Sequence, residues 1–313
     1  MLTLKDKIIL ITGGTGSLGQ HLTKRLLQKD VQKVIVFSRN EHSQVMMERE
    51  IEDKRLRFLL GDIRDRDRLK RAFRDVDYVI HCAALKHVSK CERDPLEAKK
   101  TNVDGAENII EAAIDCQIKK VLAISTDKAV APLGVYGKAK ALADDLFIRA
   151  NQYGSTRFSV IRFGNFAGSN GSVIPLFKAR KTMGLELEIT HPDMTRFFIT
   201  FNDAIDRIFE SISDMKGGEI FYPKMKSAKI LDIANRIGGI ESRKKLIGIR
   251  DHEKLHEDLI IERDAHKTYE AGNFFITYAN SNGRGQKVPE NFFYRSDNNK
   301  WWFTEKEIGD LVA

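Results

Sequence analysis

At 313 residues with 42% hydrophobic content, the chain can bury a sizeable core as one large domain or two smaller ones. No run of ~18 apolar residues is present to span a bilayer, and Ile8 to Ile11 is too short for a signal-peptide core, so a cytoplasmic protein is expected. The net charge of +8 does not point to nucleic acid, because basic and acidic residues alternate, as from Asp62 to Arg68; the excess instead favours anionic ligands carrying several phosphates.

Cys82, Cys91 and Cys116 form no C-x-x-C pair and no metal-ligand spacing, which reads as reduced thiols. Apolar runs at Lys7–Ile11, Lys33–Phe37, Leu56–Leu60, Asp77–His81, Lys119–Ile124 and Phe158–Ile161 alternate with helical stretches. That alternation predicts an α/β fold: βαβ units building a Rossmann-type, doubly wound parallel sheet with helices on both faces. The first strand runs into Thr12-Gly13-Gly14-Thr15-Gly16-Ser17-Leu18-Gly19, which fits both G-x-G-x-x-G and G-x-x-G-x-x-G. Such a pattern is weak alone, but here it follows a strand and opens a helix over Leu18 to Gln28. In that context glycines let backbone amides approach a pyrophosphate, making Gly13, Thr15, Gly16, Ser17, Leu18 and Gly19 cofactor-binding candidates.

Ser38-Arg39-Asn40 follows the second strand. An NAD enzyme usually places a carboxylate there for the ribose, whereas arginine suits the extra phosphate of NADP, so NADP is expected beside Ser38 and Arg39. Glu41 either supplies that acid or simply opens the next helix. After the third strand, Asp62 in Gly61-Asp62-Ile63 either faces the adenine, with Ile63 beside it, or caps a helix. The fourth strand ends in Ala83-Ala84-Leu85-Lys86-His87-Val88. Ala83 and Ala84 let the chain pass close to a cofactor, and Lys86 is either a ligand for phosphates or substrate or a surface lysine. His81 and His87, six apart across a strand end, are poorly placed to share a metal, and no metal is expected. Lys99 to Val103 falls mid-helix or at a kink, where Asn102 could order nearby backbone.

The richest chemistry lies between Ser125 and Lys140. The apolar run Val121 to Ile124 delivers Thr126, Asp127 and Lys128 to the crevice beyond the strand ends, an acid and a base side by side. Tyr136 and Lys140, four apart, share one helix face. An ammonium so placed could bring a phenol of reference pKa ~10 toward working pH, letting it take a proton from a sugar hydroxyl.

The βαβ regularity ends after Phe163-Gly164-Asn165. This suggests a dinucleotide-binding domain over 1–165 that also carries the catalytic residues, and a smaller α/β, mainly substrate-binding region over 166–313, with chain crossing between them allowed. In the second region Arg196 and Arg250 are suited to gripping a diphosphate and Glu253 to holding a ribose diol, though taken singly each reads as a surface charge. Asn273–Tyr278 reads as a late strand, and Phe292–Trp302 as aromatic packing or an oligomer contact rather than nucleic-acid stacking.

The glycine turn, Tyr136-x-x-x-Lys140 and the C-terminal region resemble the extended short-chain dehydrogenase/reductase superfamily. More narrowly, Ser38-Arg39-Asn40, Ala83 to Val88, Ser125-Thr126-Asp127-Lys128-Ala129, Met194-Thr195-Arg196-Phe197 and Glu253-Lys254-Leu255-His256-Glu257 resemble the inverting UDP-N-acetylglucosamine 4,6-dehydratases of the pseudaminic acid pathway. The resemblance runs from about Lys7 to Leu311. It implies a lyase acting on UDP-N-acetylglucosamine with tightly bound NADP, regenerated each turnover. In that scheme Tyr136, assisted by Lys140, deprotonates the C4 hydroxyl as hydride leaves C4. Lys128 then removes the C5 proton and Asp127 protonates the departing C6 hydroxyl. Hydride returns to C6 and C5 is protonated on the opposite face, giving a UDP-linked 6-deoxy-4-keto-L-sugar for surface glycan synthesis. The resemblance further implies that Thr126 orders the cofactor region, that Lys86, Asn165, Arg196, Arg250 and Glu253 contact the nucleotide sugar, and that the chain assembles as a homodimer or larger ring such as a hexamer.

Tyrosine at 136 favours the inverting branch, because retaining dehydratases and C5-epimerising capsule relatives often carry methionine there. Two departures stand out: Asp251-His252 where the family commonly has Pro-Gly, and Asn170-Gly171 where it has Arg-Gly. The rival readings are a retaining dehydratase, a UDP-hexose 4-epimerase, which has no need of Asp127-Lys128, and a non-catalytic NADP-sensing protein, which could dispense with Tyr136 and Lys140.

Overall fold

Runs of β-branched and aromatic residues without polar alternation form strands only when both sheet faces are covered, and that is how the chain folds. The structure, a computed structural model, describes residues 4–279 and 283–313. In chain order come β1 (Ile8–Thr12), α1 (Ser17–Leu27), β2 (Lys33–Ser38), α2 (Glu41–Glu50), β3 (Leu56–Leu60), α3 (Arg66–Ala72), β4 (Tyr78–His81), α4 (Val88–Arg93), α5 (Pro95–Lys99), α6 (Gly105–Asp115), β5 (Lys120–Thr126), α7 (Val135–Arg149) and β6 (Arg157–Phe163). There follow β7 (Asn165–Phe166), α8 (Val173–Thr182), β8 (Leu187–Ile189), β9 (Thr195–Ile199), α9 (Phe201–Asp214), β10 (Glu219–Pro223), β11 (Lys226–Lys229) and α10 (Ile230–Gly238). The chain ends with β12 (Lys244–Leu246), β13 (Asp258–Ile260), α11 (Glu262–Ala265), β14 (Thr268–Ala271), β15 (Phe274–Tyr278), β16 (Gln286–Lys287), β17 (Tyr294–Arg295) and α12 (Glu305–Val312).

The first six strands are parallel in the order β3-β2-β1-β4-β5-β6, so the direction of winding reverses between β1 and β4. The expected strands differ from these mainly at β5 and β6, which run on because Ser125 and Thr126 pair with Arg162 and Phe163. Beyond residue 165 the chain returns to the same sheet: β10 pairs parallel with β6, and β15, β14 and β16 follow antiparallel.

Alternate strand residues feed opposite cores. Ile9, Ile11, Val34, Val36 and Leu122 pack under Leu22 and Leu26 of α1 and Ile205, Ile208 and Ile212 of α9. Leu10, Ile35, Phe37, Val79 and Val121 pack under Leu69 of α3, Ile109 of α6 and Phe147 of α7. Each such side chain, fully buried, contributes roughly 1.5–3 kcal/mol. A separate core joins Ile174, Phe177, Ile189, Phe198, Ile233, Ile237 and Ile308 from α8, β8, β9, α10 and α12. The aromatic stretch near the C-terminus is packing: Tyr294 and Trp301 stack around Phe275 of β15, with centroids 5.2 and 6.4 Å away.

The expected kink is a π-helical turn over Lys100–Asp104 between α5 and α6. Its Asn102 is buried, accepts from the Leu85 amide at 2.8 Å and donates to the Leu85 carbonyl at 2.9 Å, which pins the loop after β4. Behind the end of β5, Asp144 of α7 accepts from Ser125 Oγ and from Arg162 Nε, each at 2.8 Å, and all three residues are buried. Asp144→Ala strands a buried guanidinium, and we expect it to cost about 3–5 kcal/mol. Urea unfolding measures this, and a midpoint equal to wild type would show that the pair does not hold the sheet's centre.

Candidate active site

Ligands bind open α/β sheets where the winding reverses, beyond the strand carboxyl ends. Here that crevice lies beyond β1 and β4. Gly13 has φ 66°, and a Cβ on it would lie 2.8 Å from the Ala83 backbone; one on Gly19 would lie 2.5 Å from Gly14 Cα. Only hydrogen fits at either position. Helix α1 has Gly16 as its N-cap and no side-chain cap hydrogen bond, which leaves its first amides to a ligand's phosphates. Gly13, Thr15, Gly16, Ser17, Leu18, Ser38, Arg39, Ile63, Ala83, Ala84 and Lys86 all line a cleft of about 410 Å³.

Asp62 is not among those lining residues. It accepts from the Arg64 amide at 2.9 Å and from its guanidinium at 2.6 Å, and Arg39 lies 3.6 Å away. Burial works against its charge, but the hydrogen bonds from Arg64 outweigh that and hold its carboxyl below the usual range. It caps no helix. Asp65 caps α3, accepting from the Arg68 amide at 2.9 Å, because a turn closed by the Asp65 amide on the Asp62 carbonyl first carries the chain three residues on. Glu41 likewise only opens α2, which Asn40 caps.

Strand β5 ends at Thr126, and one turn of 3-10 helix covers Asp127–Ala129. Thr126 caps that turn, accepting from the Lys128 amide at 3.3 Å, so Asp127 is free of capping and turns inward, fully buried. Its Oδ1 accepts from Lys128 Nζ and from Thr126 Oγ1, each at 3.0 Å, while Oδ2 has no hydrogen-bond partner among the described residues. Lys128 Nζ also lies 3.3 Å from Glu257 Oε1. Glu257 entered the sequence reading only as the last residue of Glu253-Lys254-Leu255-His256-Glu257, with no role assigned to it. The available signal was its place two residues ahead of the apolar run Leu259 to Ile261, of which Leu259 and Ile260 are buried as it is.

Burial raises the Asp127 pKa, the Lys128 charge opposes this, and Glu257 adds to it; the net direction is upward. Burial also works against the Lys128 ammonium, but Asp127 and Glu257 outweigh it and raise its pKa. For Glu257 the cations Lys128 and Arg196 overcome burial and hold the carboxyl below its usual range.

Tyr136 lies in the first turn of α7 and is buried, which pushes its phenol up to about 12 against the opposing effects of Lys128 and a hydrogen bond with Thr126. Lys140 follows one turn later, but its Nζ donates to the Ile124 carbonyl at 2.9 Å, and burial lowers its pKa. Lys140 thus engages the backbone near the end of β5, and Lys128 is the cation that acts on the phenol against burial. Tyr136, Lys140, Thr126, Lys128, Lys86 and Asn165 line a second cleft of about 280 Å³. It shares Leu18, Cys82, Ala84, Lys86, His87 and Asn170 with the first, so the two form one trough.

Lys86 Nζ donates to the Asn170 carbonyl at 2.7 Å, and the Asn170 amide lies 3.4 Å from Ser17 Oγ. Both contacts use Asn170 backbone, so the departure at this position leaves them intact. His252 has φ 64°, the left-handed region that favours glycine, so the loop keeps a glycine-like conformation without a glycine. Arg196 departs from expectation. It is buried, and its guanidinium donates to the carbonyls of Thr195 at 2.7 Å, Leu255 at 3.0 Å and Lys254 at 2.8 Å. It clamps the segment carrying Glu257 instead of opening toward a diphosphate. Arg250 is exposed, its amide 3.4 Å from Glu253 Oε2, and neither residue lines the trough.

Fold and site together define a doubly wound dinucleotide-binding fold with a buried carboxylate–ammonium pair at the end of β5. A family model for polysaccharide biosynthesis proteins matches residues 9–279. The chain is 44% identical to UDP-N-acetylglucosamine 4,6-dehydratase (inverting) of Campylobacter jejuni subsp. jejuni serotype O:23/36 (strain 81-176), over 98% of this chain and 97% of that one. It is 40% identical to UDP-glucose 4-epimerase of Rickettsia akari (strain Hartford), over 86% and 82%. The X-ray structure of Pen from Bacillus thuringiensis superposes with a TM-score of 0.92 at 36% identity, covering 100% of this chain and 98% of that one. The chain belongs to the polysaccharide biosynthesis protein family. Among the described residues, no helix is long and apolar enough to cross a membrane and no His, Cys, Asp and Glu cluster could hold a metal ion.

Proposed function

We propose that the protein is an inverting UDP-N-acetylglucosamine 4,6-dehydratase, a hydro-lyase. The observation that carries this reading is the Asp127–Lys128 pair, 3.0 Å apart: Lys128 lines, with Tyr136, a trough continuous with the dinucleotide cleft, and Asp127 is fully buried against it. A 4-epimerase needs the phenol and the cofactor but has no use for a buried acid and base, so the pair favours dehydration despite the likeness to an epimerase.

The glycine turn and the open N-terminus of α1 suit a pyrophosphate, and Arg39, with half of its side chain exposed at the cleft, suits a 2′-phosphate, so the cofactor is NADP. When bound, it supplies a reversible oxidant that takes hydride from sugar C4 and returns it to C6. The chain's own residues do the rest. Tyr136 takes the C4 hydroxyl proton, and the ketone acidifies C5. Lys128 first passes its proton to Asp127 across their 3.0 Å contact. Its free amine then takes the C5 proton as Asp127 protonates the C6 hydroxyl, which leaves as water, and C5 afterwards takes a solvent proton on its opposite face. Thr126 and Lys140 order the cofactor side, and Lys86 and Asn165 contact the nucleotide sugar. Residues 1–165 hold the cofactor and the chemistry, and 166–313 mainly the sugar nucleotide, in a cytoplasmic homo-oligomer.

Incubation with UDP-N-acetylglucosamine in heavy water, with NADP and separately with NAD, followed by NMR of the sugar, tests this. Deuterium at C5 of an L-configured 4-ketone is expected, faster with NADP. A D-configured ketone would assign the retaining branch, and a C4 epimer that keeps its C6 hydroxyl would assign an epimerase.

A further inference from the structure

The reaction outlined above uses Asp127, Lys128, Tyr136 and Lys140 and leaves one buried carboxylate at the site unused. Glu257 is 2% exposed, its Oε1 lies 3.3 Å from Lys128 Nζ and 3.7 Å from Arg196 Nε, and its Oε2 has no hydrogen-bond partner among the described residues. The backbone around it is held firmly. Its amide donates to Ser296 Oγ at 2.9 Å, its carbonyl accepts from the Ser296 amide at 2.9 Å, and Arg196 ties down the carbonyls of Lys254 and Leu255. Desolvating a carboxylate is costly unless a cation compensates it, and Lys128 and Arg196 are the cations beside this one. Lys128 Nζ thus lies between two carboxylates, Asp127 Oδ1 at 3.0 Å and Glu257 Oε1 at 3.3 Å.

We infer that Glu257 is a positioning residue for Lys128, holding its amine against Asp127 and balancing the charge that Lys128 acquires when it takes the C5 proton; this rests on the dehydratase reading. The step balances. The C5–H bond breaks as an N–H bond forms on Lys128, the C6–O bond breaks as Asp127 gives its proton to that oxygen, and water leaves. Lys128 ends as an ammonium and Asp127 as a carboxylate. With Glu257 ionised throughout, the ammonium forms against an anion already in place instead of in a dry pocket without one.

The sign of the pH effect follows from the groups that face the pair: Asp127 on the same turn, Tyr136 from α7, Arg196 from β9, and Lys254, His252 and Glu257 from the loop before β13. Glu257 raises the pKa of both Lys128 and Asp127. The base works above its pKa and the acid below its own, so removing the Glu257 charge moves both limbs of the rate profile to lower pH.

Glu257→Gln is the test, with Glu257→Asp as the charge-keeping variant. Expected for Glu257→Gln is a kcat for dehydration about 100-fold lower with little change in KM, C4 oxidation still visible in a single turnover, and a pH profile about one unit more acidic. Glu257→Asp should return the profile to its wild-type position. Wild-type kcat in Glu257→Gln, or a loss with an unmoved profile in both variants, overturns the positioning role while the dehydratase reading stands. A wild type that oxidises no UDP-N-acetylglucosamine overturns both.

Discussion

Asp127→Asn is expected to slow dehydration about 10³-fold while leaving C4 oxidation in place. Asparagine keeps the size of the side chain and an oxygen to accept from Lys128 and Thr126, contacts of 3.0 Å each in the native site. What it loses is the acidic proton. A C6 hydroxyl departs as water only if it is protonated as the bond breaks, and Asp127 is buried with its pKa raised, so it still holds a proton at pH values where an exposed aspartate has none. Single-turnover nicotinamide absorbance beside product NMR separates the two steps. The variant should accumulate reduced cofactor and a 4-ketone that retains its C6 oxygen. Product formation at the wild-type rate would remove Asp127 as the acid.

The parts of this site written in contiguous sequence were legible, and the parts made by chain segments meeting from afar were not. The glycine turn, the β5 end with Asp127 and Lys128, and the i,i+4 spacing of Tyr136 and Lys140 depend on strand and helix periodicity, which a single segment carries. Glu257 and Arg196 are different. Each looks like a solvated charge in its own segment, and only the meeting of β9 with the loop before β13 buries both against the turn after β5. Asp62 and Asp65 show a smaller limit. Both are acids just ahead of a helix, and which one caps depends on a single turn of backbone. The return of β10 to the sheet was hidden for a similar reason, because the short run Ile220-Phe221-Tyr222 becomes a central strand only by pairing with β6.

Tyr136→Phe is expected to abolish both half-reactions, lowering C4 oxidation about 10³-fold and dehydration with it, because C5 is acidic only next to a C4 ketone. Phenylalanine fills the same space and gives up only the hydroxyl and its hydrogen bond with Thr126, so the fold and cofactor binding should survive, as nicotinamide fluorescence can verify. The pH dependence identifies the group. A base works above its pKa, and burial pushes this phenol up to about 12, with Lys128 and Thr126 acting in the opposite direction. The phenolate fraction, and with it the wild-type C4 oxidation rate, should therefore rise about tenfold per pH unit through neutrality and level off only at alkaline pH. The residual rate in Tyr136→Phe should be flat over that range. Lys128→Met removes the cation acting most on the phenol and should move the wild-type rise to higher pH, whereas Lys140, held on the Ile124 carbonyl, should move it less when replaced. If Lys140→Met moves the rise as far as Lys128→Met does, the phenol takes its charge from its helix neighbour after all, and the pairing read from the i,i+4 spacing is the one that operates in catalysis.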